Sequence, residues 1–124
     1  MKVSKNCKKI NYVLLPFPFS DLESKKVRPA LIISNDKFNK KSDDCLMVPL
    51  TSIIKDEPYS IIISQENLSS GKLIKTSRIR IDKIFSIEKN LSIAKIGILN
   101  DNIFEQIKSE ILKIFLNKNS IFLV

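Results

Sequence analysis

Histidine is absent from the 124 residues, and glycine occurs only at Gly71 and Gly97. Without histidine the chain lacks the commonest metal ligand and the side chain best suited to move protons near neutral pH. Any catalysis must therefore use other groups. Two isolated glycines leave no glycine-rich loop to cradle a phosphate, which disfavours Rossmann and P-loop nucleotide binding. The two cysteines, Cys7 and Cys45, form no C-x-x-C pair, so neither a zinc site nor a thioredoxin-like motif is encoded. Two thiols in a reducing compartment are favoured over a single structural disulfide. No apolar run approaches the ~20 residues that a membrane span requires. The first residues carry lysines ahead of an apolar stretch. That stretch is short, contains Pro16 and Pro18 and lacks a small-residue cleavage site, so it reads as the first strand of a cytoplasmic protein and not as a signal peptide.

What remains is 44% hydrophobic and 27% charged, an ordinary balance for a globular chain. A chain of this length reads as one domain, 1–124, able to bury a core without staples. The net charge of +8 favours an acidic partner such as nucleic acid or an acidic protein segment. Part of that excess reflects a background rich in Lys, Ile and Asn. Against it, only three arginines stand out, Arg28, Arg78 and Arg80. Where lysine is so abundant, each arginine points to a task lysine does poorly, such as planar, bidentate recognition of phosphate or carboxylate.

Short apolar runs alternate with polar turns. Tyr12 to Phe17, Pro29 to Ser34, Cys45 to Thr51, Tyr59 to Ser64 and Leu91 to Leu99 read as strands, and Arg78 to Ile87 alternates as one half-buried strand should. Ser20 to Val27 and Asn35 to Asp44 read as loops. Asn67 to Gly71 reads as a turn before a short strand at Lys72 to Lys75. The end changes period: Ile103, Phe104, Ile107, Ile111, Ile114 and Phe115 fall on one helical face. Asn100 to Asn102 offer capping side chains, and Asn102 with Glu105 has capping-box spacing. The expectation is a mainly β fold with a C-terminal helix packed on a small, partly closed barrel.

Three segments carry candidate chemistry. Arg28-Pro29-Ala30 lies at a loop-to-strand junction, where the following proline holds Arg28 extended. Pro49-Leu50-Thr51-Ser52 ends a strand with two adjacent hydroxyls able to hydrogen-bond phosphate oxygens. Ser77 to Asp82 puts Arg78 and Arg80 on one strand face. Read singly, Arg28 is by default a surface ion pair and Thr51 an ordinary strand threonine. Phe17 and Phe19 suit packing better than base stacking, and Lys37, Lys40 and Lys41 form a solvated loop cluster.

Taken together, VLLPFPFSDLESKKVRPALIIS, CLMVPLTS, SRIRIDKIFSI, KIGIL and the amphipathic end resemble the PemK-like members of the MazF toxin family, from about Tyr12 to Phe115. The resemblance implies an SH3-like barrel, a homodimer, and metal-independent, cofactor-free endoribonuclease cleavage of single-stranded RNA. It also implies inhibition by an antitoxin whose acidic C-terminal segment fills the RNA site. It assigns the catalytic pair to Arg28 and Thr51, with Glu23 as a candidate base. Ser52, Ser77, Arg78, Arg80, Lys25 and Lys26 are the residues expected to contact RNA. Two departures stand out: Ile10-Asn11 replaces the Gly-Asp that opens many relatives, and the Ser20–Val27 loop lacks glycine. A non-catalytic nucleic-acid-binding protein or a gyrase-directed toxin on the same fold is the alternative.

Overall fold

The computed structural model describes residues 11–16, 27–73, 75–91 and 94–116. Eight strands and two helices follow the order β1 (Asn11–Pro16), β2 (Val27–Ile32), α1 (Asp36–Lys41), β3 (Asp44–Thr51), β4 (Ser60–Ile63), β5 (Leu68–Gly71), β6 (Ser77–Arg80), β7 (Phe85–Glu88), β8 (Ala94–Leu99) and α2 (Asp101–Phe115). The protein is thus mainly β with a C-terminal helix. Its antiparallel sheet runs β4-β6-β3-β2-β1-β8-β5, with β7 paired to β3. Among the described residues no ladder joins β4 to β5, so the sheet has two ends.

β3 organises the sheet. One edge pairs with β2; the other pairs with β7 over Asp44–Met47 and with β6 at Leu50–Thr51. Pro49 lies at the changeover, where that edge has no continuous ladder to interrupt, so a proline is tolerated in an otherwise central strand. Alternation along β2, β3 and β6 sorts the side chains onto two faces. Leu31, Val48, Leu50, Ile63, Ile79, Ile81 and Leu99 pack with Ile103 and Ile107 of α2 in the main core. Ala30, Ile32, Cys45 and Met47 form a smaller cluster on the reverse face with Phe85 and Ile87. Each buried aliphatic side chain contributes ~1.5–3 kcal/mol of transfer free energy.

Several sequence expectations are corrected here. Arg78 to Ile87 is two strands, not one. Leu50 faces Ile79 and Met47 faces Phe85, so six steps of chain answer three steps of β3. The odd excess turns the following side chains over, and Phe85 and Ile87 pack on the reverse cluster instead of the main core. The loop expected at Asn35–Asp44 contains α1, capped by Asn35 Oδ1, which accepts from the Phe38 N–H at 2.8 Å. The buried Lys89 locks that helix by donating to the Asn39 carbonyl at 2.7 Å. The turn expected at Asn67–Gly71 is instead strand β5, preceded by a 3-10 turn at Gln65–Asn67, and Lys72 and Leu73 are not in a strand. The cap of α2 is Asn100, whose Oδ1 accepts from Ile103 N–H at 3.0 Å, and not an Asn102–Glu105 box. The helical stripe is buried at Ile103, Phe104 and Ile107, but Ile114 and Phe115 are exposed.

Candidate active site

Cα partners across the β2–β3 ladder are Ala30 with Pro49, Leu31 with Val48 and Ile32 with Met47. The ladder ends at Ala30–Pro49; its register, if carried two residues further, would bring Arg28 opposite Thr51. On the other edge of β3, Thr51 faces Arg78 of β6, and Arg78 faces Ile62 of β4. Directly opposed residues share a sheet face. Thr51 and Arg78 therefore share a face, and on the extended register Arg28 would complete a row across three strands. Arg80, two residues along β6, lies on the same face opposite Ser60. By strand alternation all three arginines of the chain lie on the same face as Thr51, away from α2.

Their environments differ. Arg80 donates from Nε and a terminal nitrogen to the two carboxylate oxygens of Asp82, at 3.1 and 2.8 Å. That hydrogen bond raises the Arg80 pKa and holds the Asp82 carboxyl below its ordinary value. Arg78 is 3% exposed. It donates from Nε to the Ile53 carbonyl at 3.1 Å and lies 3.7 Å from the Glu57 carboxylate. Arg28 is exposed, and among the described residues its guanidinium has no hydrogen bond or ion pair. Of the three, it is the one whose charge no described carboxylate answers. Thr51 is half-buried, and its Oγ1 accepts from Ile53 N–H at 3.2 Å.

The remaining expected site residues divide clearly. Ser52 is exposed beside Thr51. Ser77 is buried and its hydroxyl turns back to the Lys75 carbonyl at 2.8 Å, so this arrangement does not offer it to RNA. The buried Arg78, likewise, is turned toward the β3–β4 loop. Glu23, Lys25, Lys26, Phe17 and Phe19 lie outside the described residues. Lys37, Lys40 and Lys41 are exposed, but on α1, at the other end of β3 from Thr51. Sequence reasoning missed Glu57 and Ile53, which have no motif around them. Their signal lies only in the buried Arg78 that needs both a carboxylate and a carbonyl. Among the described residues no three His, Cys, Asp or Glu side chains gather as a metal ion would need. No described helix is long and apolar enough to cross a membrane.

Comparison with known proteins decides the family. Residues 8–115 match the model of the PemK-like, MazF-like toxins of type II toxin–antitoxin systems. The chain belongs to this family. The match embraces β1 through α2, so the arginine-lined row sits within the PemK/MazF-like unit. No curated protein matches the chain by sequence. Solved structures with the same fold include the Mycobacterium tuberculosis toxin MazF-mt6, at a TM-score of 0.69 and 16% identity, covering 85% of this chain and 95% of that one. MazF from Deinococcus radiodurans is similar at a TM-score of 0.69 and 16% identity, covering 87% and 94%. An endoribonuclease in complex with its cognate antitoxin, from a mycobacterial species, is similar at 0.68 and 20% identity, covering 86% and 91%.

Proposed function

We propose that this PemK/MazF-like chain is an endoribonuclease toxin that cuts single-stranded RNA at short sequences without a metal ion. The reading is supported by one observation: Thr51 faces Arg78 across β3 and β6, and the β2–β3 register, carried past Ala30–Pro49, would bring Arg28 to the same threonine. RNA carries its own nucleophile, the 2′-hydroxyl. The enzyme must align it with the phosphorus and stabilise charge on the phosphoryl oxygens. Arg28 supplies the guanidinium, and the Thr51 hydroxyl donates to a phosphoryl oxygen. Ser52 and Arg80, with Lys25 and Lys26, hold neighbouring parts of the strand. The 2′-oxygen bonds to phosphorus as the bond to the 5′-oxygen breaks. The 2′ proton passes to a base, for which Glu23 is the candidate; the leaving 5′-oxygen takes a proton from a water held at Arg28, and the base gives its proton back to solvent, so no net proton is gained or lost. The products are a 2′,3′-cyclic phosphate and a 5′-hydroxyl. Arg28 itself stays protonated throughout.

The wider reading follows the family. The sheet acts as an SH3-like, partly closed barrel, the working unit is a cytoplasmic homodimer, and an antitoxin blocks the RNA site with an acidic segment. Solved relatives described as complexes with an antitoxin support the antitoxin partner. The test is direct. Purified protein incubated with mixed-sequence RNA in EDTA is expected to give discrete cuts ending in cyclic phosphate. Arg28→Ala is expected to lower their rate at least ~100-fold, in line with loss of a donor to a developing oxyanion. A folded wild type that leaves the RNA whole, while its expression blocks DNA supercoiling in the cell, would replace this reading with a gyrase-directed toxin.

A further inference from the structure

Thr51 and Arg78 are neighbours across β3 and β6, and they are tied a second time through the loop that follows Thr51. Ile53 N–H donates to Thr51 Oγ1 at 3.2 Å, and the Ile53 carbonyl accepts from Arg78 Nε at 3.1 Å. One loop residue is therefore held at both its peptide groups, by the hydroxyl on one side and the guanidinium on the other. The guanidinium is buried in the sheet, and the carboxylate 3.7 Å from it, Glu57, belongs to the same loop. Ser60 adds a further tie, donating from Oγ to the Glu57 carbonyl at 2.7 Å. The loop between β3 and β4 is otherwise exposed from Ser52 to Tyr59.

A buried cation is costly unless paired and hydrogen-bonded. A lysine here would bring one compact ammonium. The arginine fork reaches a carbonyl with Nε and a carboxylate with a terminal nitrogen at the same time. That geometry accounts for an arginine in a chain rich in lysine at a position that faces away from solvent.

We propose that Arg78 is a positioning residue of the RNA-cleaving site. It fixes Ile53, and through Ile53 the direction of the Thr51 hydroxyl, without touching the scissile phosphate. The proposal rests on Thr51 acting in cleavage, as argued above, and adds how that hydroxyl is held. With Ile53 N–H occupying one lone-pair direction of Oγ1, the O–H bond is steered toward the open face beside Arg28. Loss of the guanidinium frees Ile53 and lets the hydroxyl turn.

The experiment compares Arg78→Gln and Arg78→Lys in wild-type and Thr51→Ala backgrounds, on an RNA oligonucleotide containing one mapped cut site. Arg78→Gln is expected to lower kcat at least about tenfold, because small misplacements of a catalytic group are costly, with KM within about twofold. Arg78→Lys recovers part of the loss. In the Thr51→Ala background Arg78→Gln adds no further loss, since groups acting through one network are not additive. A raised KM at unchanged kcat, or losses that multiply, overturns the proposal. Amide hydrogen exchange gives a readout apart from cleavage. Exchange at Ile53 N–H is expected to quicken severalfold in Arg78→Gln while Leu31 and Val48 stay protected. An unmoved Ile53 rate overturns the link itself, whether or not RNA is cut. A wild type that cuts no RNA overturns the cleavage reading, and the catalytic meaning of Arg78 with it. Should Arg78→Gln fail to fold, Glu57→Gln perturbs the same clamp from its exposed side, with the same sign and a smaller effect.

Discussion

At the scale of single residues, the Arg80–Asp82 pair shows how geometry becomes pH dependence. The guanidinium hydrogen bond holds the Asp82 carboxyl below its ordinary value. A carboxylate with a lowered folded pKa binds fewer protons in the native than in the unfolded state. Its stabilising contribution is complete above the unfolded value, near pH 3.9. It fades as the pH falls through the lower folded value. The raised pKa of Arg80 has no such consequence, since an arginine is already charged across the accessible range. Both side chains are partly exposed, so the pair is worth no more than ~1 kcal/mol. Urea unfolding of the wild type and Asp82→Asn should differ by less than about 1 kcal/mol at neutral pH. The gap should narrow below pH 3, and a gap that stays constant with pH would deny the pair its electrostatic role.

At the scale of elements, the two glycines show what the chain does not disclose until it is folded. Gly71 ends β5 and Gly97 lies in β8, and the two are Cα partners. Gly71 has φ +87°, and a Cβ built there would lie 2.2 Å from the Ile96 carbonyl oxygen. Both the backbone conformation and the close approach of β8 require glycine. Gly71→Ala is expected to destabilise the fold by more than about 2 kcal/mol, combining left-handed strain with steric overlap. Thermal unfolding of the purified variant measures this, and a wild-type Tm would refute the close approach. The strands at β1, β2, β3, β4 and β8 and the helix α2 were legible because their apolar patterns are strong and the pairing of the strands agrees with them. β5 was not, because Leu68-Ser69-Ser70-Gly71 is a polar edge strand whose pairing is set by a distant partner. The break after Arg80 was hidden for another reason. Alternation runs unbroken through Arg78 to Ile81 and from Phe85 to Glu88, while the intervening residues reverse which face is buried. The α1 helix carried a clear cap at Asn35 but is too short, at six residues, to display a period. The candidate site divides likewise. The resemblance named Arg28 and Thr51 as a pair, but their common face depends on strand register, and the burial of Arg78 depends on a loop contact from a residue more than twenty positions away.

At the scale of the whole molecule, the charge of +8 acquires a place to act. Glu57 and Asp82 answer two of the arginines on the Thr51 face, and Arg28 is the guanidinium left to meet an anion among the described residues. On the proposed reading, an RNA strand crosses this face with its scissile phosphate at Arg28 and further phosphates over other cationic residues. Displaced counterions then make binding weaken with salt, by a slope of about −0.7 in log K against log salt for each single-strand phosphate neutralised. A 2′-O-methylated RNA lacks the nucleophile, so wild-type protein can bind it without cutting it. Titrated by fluorescence anisotropy between about 50 and 200 mM salt, it should give a slope of about −1.4 or steeper, corresponding to at least two neutralised phosphates. Arg28→Ala should flatten that slope by about 0.7, while Lys37→Ala on α1 should leave it unchanged. Equal flattening by both would mean that the RNA follows the overall positive charge and not the arginine-lined face of the sheet.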